Sequence, residues 1–174
     1  MMLVPSRSRR VLLAAVLTQV AALPLVARPC SAQTPQPPMT PAKGDVIPVF
    51  ETLGIDGKPM KVDFPKGSTT VLLFFLSSCP TCHKMIPEWN RAYARRAPKL
   101  KVIGVIMDQE PPGFWGTIPI SFPVLRSPGR EFLTSLHVNR APLTLRVGTG
   151  GQVDDFALGV VDPIRLGELF APPK

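Results

Sequence analysis

The sequence predicts an α/β fold: a central mixed sheet with flanking helices and an N-terminal β-hairpin. Three observations carry that prediction. Val71-Leu72-Leu73-Phe74-Phe75-Leu76 is an unbroken apolar run, as a strand buried on both faces requires. Leu100 to Met107 is a second such run, and the stretch from Lys84 to Ala97 between them has helical spacing. Strand, helix and strand make a βαβ unit, with parallel pairing and a right-handed crossover. Further on, Leu143 to Val147 and Gln152 to Gly159 read as strands around Gly148-Thr149-Gly150-Gly151, a strong hairpin signal.

Taken in order, the chain starts with a leader. Arg7-Ser8-Arg9-Arg10 precedes a modest apolar stretch from Val11 to Leu23, and Cys30-Ser31-Ala32 supplies small residues for cleavage before Gln33. Residues 1–32 therefore read as a signal peptide. Thr18, Gln19 and Pro24 interrupt the apolar stretch and leave it short for a membrane-spanning helix of about 20 residues. Ser8-Arg9-Arg10-Val11-Leu12-Leu13 also resembles a twin-arginine export signal. The expected location is periplasmic or otherwise extracytoplasmic, where disulfide chemistry is permitted. Residues 33–44 hold four prolines and read as an extended linker. The domain follows over 45–171, with a short tail at 172–174.

Within the domain, Val46 to Leu53 and Met60-Lys61-Val62 form the leading hairpin, turned by Gly54-Ile55-Asp56-Gly57-Lys58-Pro59. Met85, Trp89, Ala92 and Tyr93 share one face of the first helix. Pro87 removes a backbone hydrogen bond inside that helix and should kink it. Phe114, Trp115 and Ile118 suggest one short helix in the connection after the second strand. Phe122 to Leu125 reads as a brief edge strand, and Ser127 as the cap of a helix over Gly129 to Leu136 with Pro128 in first position. Asp162 caps a last helix, Pro163 to Phe170, again with proline first.

Charge excludes little by itself. The chain carries a formal +8, but four arginines lie in the acid-free first 32 residues, leaving 16 basic against 12 acidic residues. That balance is too mild for a nucleic-acid partner, and basic and aromatic residues do not interleave. Arg91, Arg95, Arg96, Lys99 and Lys101 read as a solvated helix face and its exit.

Of the three cysteines, Cys79 and Cys82 remain once the leader is removed. Set two residues apart on the first turn of a helix, they are within disulfide reach, with Cα atoms about 5.5 Å apart. The first would sit where free backbone N–H groups and the helix dipole stabilise a thiolate. Cys79 would then attack a substrate disulfide, and Cys82, one turn deeper, would resolve the mixed disulfide. Pro80 fits an early helix position. Other readings stay open. Zinc would need two more ligands, and only His83 and His137 remain. Cys79-Pro80-Thr81-Cys82-His83 also fits covalent haem attachment, although it follows a buried strand here. A copper-binding module could use Cys79, Cys82 and His83. As plain residues, His83 is a solvated helix residue or an imidazolium beside Cys79, and His137 is packed or on the surface.

An apolar strand, Cys-x-x-Cys and then Pro87 five residues after Cys82 resemble the thioredoxin superfamily. More narrowly, residues 45–171 are similar to the TlpA/ResA-like extracytoplasmic thiol-disulfide oxidoreductases. That resemblance implies a thioredoxin-like fold and a redox-active Cys79–Cys82 disulfide with no other cofactor. It also implies a cis-proline facing the pair. Arg140-Ala141-Pro142-Leu143 matches that place, so Pro142 is expected cis and the Ala141 backbone is expected to pair with a substrate strand. Pro80 and Thr81 join them as candidate substrate-binding residues. Implied partners are protein thiols and disulfides and an upstream electron donor or acceptor, with a membrane involved only if the leader stays uncleaved. Reduction of disulfides during cytochrome c maturation is one implied task.

The sequence departs from the family pattern in places. Ser78 stands where tryptophan is common, and Ala141 where threonine or valine is usual. Leu73 and Met85 occupy the positions of the family's buried acids. Glu88 and Asp108 are the nearest alternative proton acceptors. Leu76 stands where peroxiredoxins need threonine.

Overall fold

The computed structural model of the chain describes residue 38 and residues 40–172. The expected signal peptide and most of the expected linker lie outside the described residues. The end of that linker is docked onto the fold: Pro41 is buried, and the Gly44 N–H donates to the Val153 carbonyl at 2.9 Å.

Two strands open the domain, β1 (Phe50–Leu53) and β2 (Pro59–Val62), paired antiparallel with Phe50 opposite Val62. The ladder starts at Phe50 rather than Val46. Val46 bridges Gln152 instead, and the Ile47 N–H donates to the Gly151 carbonyl at 2.8 Å. Gly151 permits this approach: it has φ of +84°, and a Cβ there would lie 2.1 Å from the Ile47 oxygen.

The main sheet has five strands. β3 (Thr69–Phe75) is its centre, β4 (Leu100–Ile106) and β5 (Val124–Arg126) lie to one side, and β6 (Leu143–Val147) and β7 (Val153–Leu158) lie to the other. β3 runs parallel to β4 and antiparallel to β6, so the sheet is mixed. The expected edge strand is an edge, but it starts two residues later and ends one later, at Val124–Arg126: the Pro123 carbonyl still accepts from Gly104, but proline has no N–H to give.

Every residue of β3 is buried, and the two-residue alternation sorts them. Val71, Leu73 and Phe75 pack with helix α1 (Pro80–Ala94) and helix α4 (Pro163–Leu169). Leu72 and Phe74 pack on the other face, with Phe50 and Val62 of the hairpin and Leu136 beyond helix α3 (Arg130–Ser135). A fourth helix, α2 (Phe114–Thr117), is one turn long and brings Phe114 into the α1 side.

One helix start agrees with the cysteine reading and one differs from the expected cap. α1 begins at Pro80, which places the cysteine pair on its first turn as read: Cys79 caps it, Pro80 fits the first turn, and the helix continues through Pro87 to Ala94. α3 begins at Arg130 after Gly129, not under a Ser127 cap. Among the described residues, Ser127 Oγ accepts only the nearby Gly129 N–H, at 3.3 Å. Asp162 caps α4 as expected, its Oδ1 accepting the Ile164 and Arg165 N–H groups at 2.9 and 3.0 Å.

Candidate active site

β3 delivers the chain to the cysteines at the centre of the sheet's C-terminal edge. Cys79 is the N-cap of α1 and is half-buried, while Cys82 is fully buried one turn on. Both are free thiols. The backbone N–H of Cys82 donates to Cys79 Sγ at 3.1 Å, one of the first-turn donors that no helix carbonyl can satisfy. Pro80 and Thr81, between them, are exposed.

The Cys82 thiol is pushed up to about 12. Burial is the main cause, the Cys79 side chain and its charge add to it, the Leu76 amide opposes it, and the charge of Asp108 adds a last contribution. Cys82 is therefore a neutral thiol at any physiological pH.

Opposite the pair, the antiparallel register sets Phe74 against Leu143, so the start of β6 lies beside the end of β3. The Ala141–Pro142 peptide is cis. Pro142 is buried, and its carbonyl accepts the Gly159 N–H at 2.8 Å. Ala141 is half-buried against the same core as Cys79 and makes no backbone hydrogen bond among the described residues. The fold thus brings Cys79, Cys82, Ala141 and Pro142 to one edge.

The His83 ring is half-buried and engaged with the backbone. Its Nε2 lies 2.7 Å from the Ser77 carbonyl oxygen, and its ring is 6.2 Å from that of Phe114. Among the described residues, no group of three or more His, Cys, Asp and Glu side chains is gathered as a metal-ligand set. His137 sits after α3 with φ of +56°, on the pocket lined by Pro41 and Val46. Glu88 is tied to Arg91 in an ion pair on the outside of α1.

Asp108 has a place that sequence reasoning did not assign to it. Its carboxylate accepts from Ser77 N–H (2.7 Å), Ser77 Oγ (2.9 Å), Ser78 N–H (3.2 Å) and Ser78 Oγ (3.0 Å). Burial raises its pKa, but these donors outweigh burial and the net shift is downward. The signal was present in the βαβ register. Phe75 pairs with Ile106, so two residues on, Ser77 falls level with Asp108.

A family model described as Redoxin matches residues 42–162. The sporulation thiol-disulfide oxidoreductase A of Bacillus subtilis (strain 168) is 24% identical over 127 residues, covering 69% of this chain and 76% of that protein. Among solved structures, a Chlorobium tepidum protein provisionally assigned as thiol:disulfide interchange protein DsbE is 25% identical with a TM-score of 0.63, over 75% of this chain and 94% of its own. The exposed lipoprotein thioredoxin Etrx1 of Streptococcus pneumoniae strain TIGR4 is 21% identical with a TM-score of 0.60, over 70% of this chain and 97% of its own. The fold is thioredoxin-like.

Proposed function

The chain belongs to the Redoxin family, and from that premise we propose that it exchanges disulfides with protein substrates through Cys79 and Cys82. Its class is thiol-disulfide oxidoreductase of the thioredoxin superfamily. One observation carries the assignment of roles. The two sulfurs sit on one helical turn, with Cys79 at the open helix start and Cys82 buried behind it.

The reduction of a substrate runs as follows. The Cys79 thiolate attacks one sulfur of the substrate disulfide; a Cys79–substrate bond forms, the substrate S–S bond breaks, and the departing sulfur takes a proton. Cys82 then gives up its proton and attacks Cys79 Sγ, forming the Cys79–Cys82 disulfide and releasing the second substrate thiol. The substrate gains two electrons and two protons, and the pair loses them. A dithiol partner restores the pair. Run in reverse, the same steps oxidise a substrate, and the potential of the pair against its partner sets the direction. Ala141 offers its backbone to an extended substrate segment, while Pro80, Thr81 and Pro142 frame the sulfur. Reductive delivery to cytochrome c maturation is the task suggested by the family resemblance. An extracytoplasmic setting is supported by the leader and by the exposed lipoprotein among the structural neighbours. Among the described residues, no helix is long and apolar enough to cross a membrane.

The test is a pair of single variants assayed on a protein disulfide. Cys79→Ser is expected to abolish exchange. Cys82→Ser is expected to retain the first step and accumulate a mixed disulfide at Cys79, visible by mass. A Cys79→Ser protein as fast as the wild type would overturn the assignment.

A further inference from the structure

We propose that Asp108 is a positioning residue for the cysteine pair: it holds the two serines that lead into Cys79 and sets a fixed negative charge beside the dithiol. The proposal rests on the exchange function proposed for that pair.

The geometry is that of a filled carboxylate. Oδ2 accepts three of the four serine bonds and Oδ1 the fourth. An ionised carboxylate has about four acceptor sites, so two consecutive residues occupy nearly all of its capacity. Asp108 itself stands at the end of β4, and the β3–β4 ladder fixes its height relative to Ser77. The restraint passes onward. The Ser77 carbonyl meets His83 Nε2 on α1 at 2.7 Å, and the Cys79 N–H donates to the Leu76 carbonyl at 3.3 Å. Leu76 to Cys79 is therefore held from β4 on one side and from the first turn of α1 on the other. Ser78, immediately before the first cysteine, gives both its N–H and its hydroxyl to the carboxylate.

The charge acts apart from the bonds. The serine donors draw the Asp108 carboxyl below its ordinary value and so make it a weaker proton acceptor, and its charge opposes thiolate formation at Cys82. Other charged and titratable groups face this corner. Cys79, Cys82 and His83 come from α1. Arg126 and Arg130 line a cleft with Asp108, and Arg126 is already paired with Glu110 at 2.6 Å.

Two variants of the full chain separate position from charge. Asp108→Asn keeps the shape and removes the charge. Ser77→Ala with Ser78→Ala keeps the charge and removes both hydroxyl donors. The readouts are the rate of reaction of the reduced chain with 2,2′-dithiodipyridine from pH 5 to 9, and the dithiol–disulfide equilibrium against glutathione at pH 8. For Asp108→Asn, the rate is expected to rise by roughly threefold or more and the equilibrium to move toward the dithiol by a similar factor, since a fixed charge beside the cysteine turn no longer opposes negative charge building on sulfur. For the double serine variant, the rate is expected to drop about threefold or more at every pH, with the half-maximal pH unchanged. A folded Asp108→Asn protein whose rate profile and equilibrium match the wild type overturns the proposal. If that variant does not fold, a double serine variant as fast as the wild type overturns it. A wild-type chain that does not react with the probe overturns the exchange function beneath it, a result distinct from either.

Discussion

Cys79 and Cys82 have the same chemistry and opposite surroundings. Cys79 ends a β-strand connection, caps a helix and remains partly open; Cys82 is enclosed by the α1-side core. Their order along the chain was readable because a helix start offers unpaired N–H groups to the first residue and buries the one a turn later. The surroundings of Asp108 were not, because nothing in an isolated Asp-Gln-Glu says which donors will meet it. Glu110, two residues on, shows the same limit. It pairs with Arg126 through two bonds of 2.6 Å each and also accepts from Trp115 Nε1 at 3.3 Å. The Arg126 bonds, chiefly, bring its carboxyl down to about 2. Because the folded value is depressed, the stabilisation is present above the unfolded value of about 4.3 and fades as pH falls toward 2. Glu110→Gln is therefore expected to be less stable than the wild type at pH 7, by about 1 kcal/mol or less for so solvent-screened a pair. Thermal unfolding against pH checks this: the two curves should merge near pH 2. A constant gap down to pH 2 would assign the loss to packing instead.

At the scale of elements, α1 and β6 carry the two halves of the site, and one buried bond joins them. Trp89 is fully buried, and its Nε1–H donates to Thr144 Oγ1 at 3.0 Å. Periodicity put Met85 and Trp89 on the inner face of α1, as observed. It could not say that a polar atom of Trp89 would need a partner 55 residues away. Thr144 is buried toward α1 on a strand whose Leu143, Leu145 and Val147 face the hairpin side. Trp89→Phe removes the donor, leaves Thr144 buried and unpaired, and vacates ring volume. The expected loss is roughly 2–4 kcal/mol in chemical denaturation. A loss below about 0.5 kcal/mol would mean that the bond contributes nothing to holding α1 on β6.

Across the described residues, the site and the segment that follows α4 occupy opposite ends of the sheet. Arg146, near the end of β6, sends its guanidinium to the carbonyls of Leu169, Ala171 and Pro172 at 2.9, 2.7 and 3.2 Å. It fastens the segment after α4 where β3 begins, far from the edge at which β3 meets Cys79. Arg146→Met is thus expected to lower stability by roughly 2–3 kcal/mol, the scale of lost charge-assisted bonds. Disulfide exchange should stay within about twofold of the wild type, and urea denaturation with a rate assay on the same sample tests both. A large fall in exchange by a fully folded variant would tie this clamp to the site. The sequence alone determined the α/β class, the central strand, the helix that presents Cys79 before Cys82, and the strand that follows Pro142. These follow from hydrophobic period, turn chemistry and the spacing of a few residues, all of them local. Only the tertiary structure decided that Asp108 binds Ser77 and Ser78, that His83 turns to the Ser77 carbonyl, and that Glu88 stays outside with Arg91. Those outcomes depend on strand register and on which polar atoms are left without water, and a chain acquires both only when its distant segments are packed together.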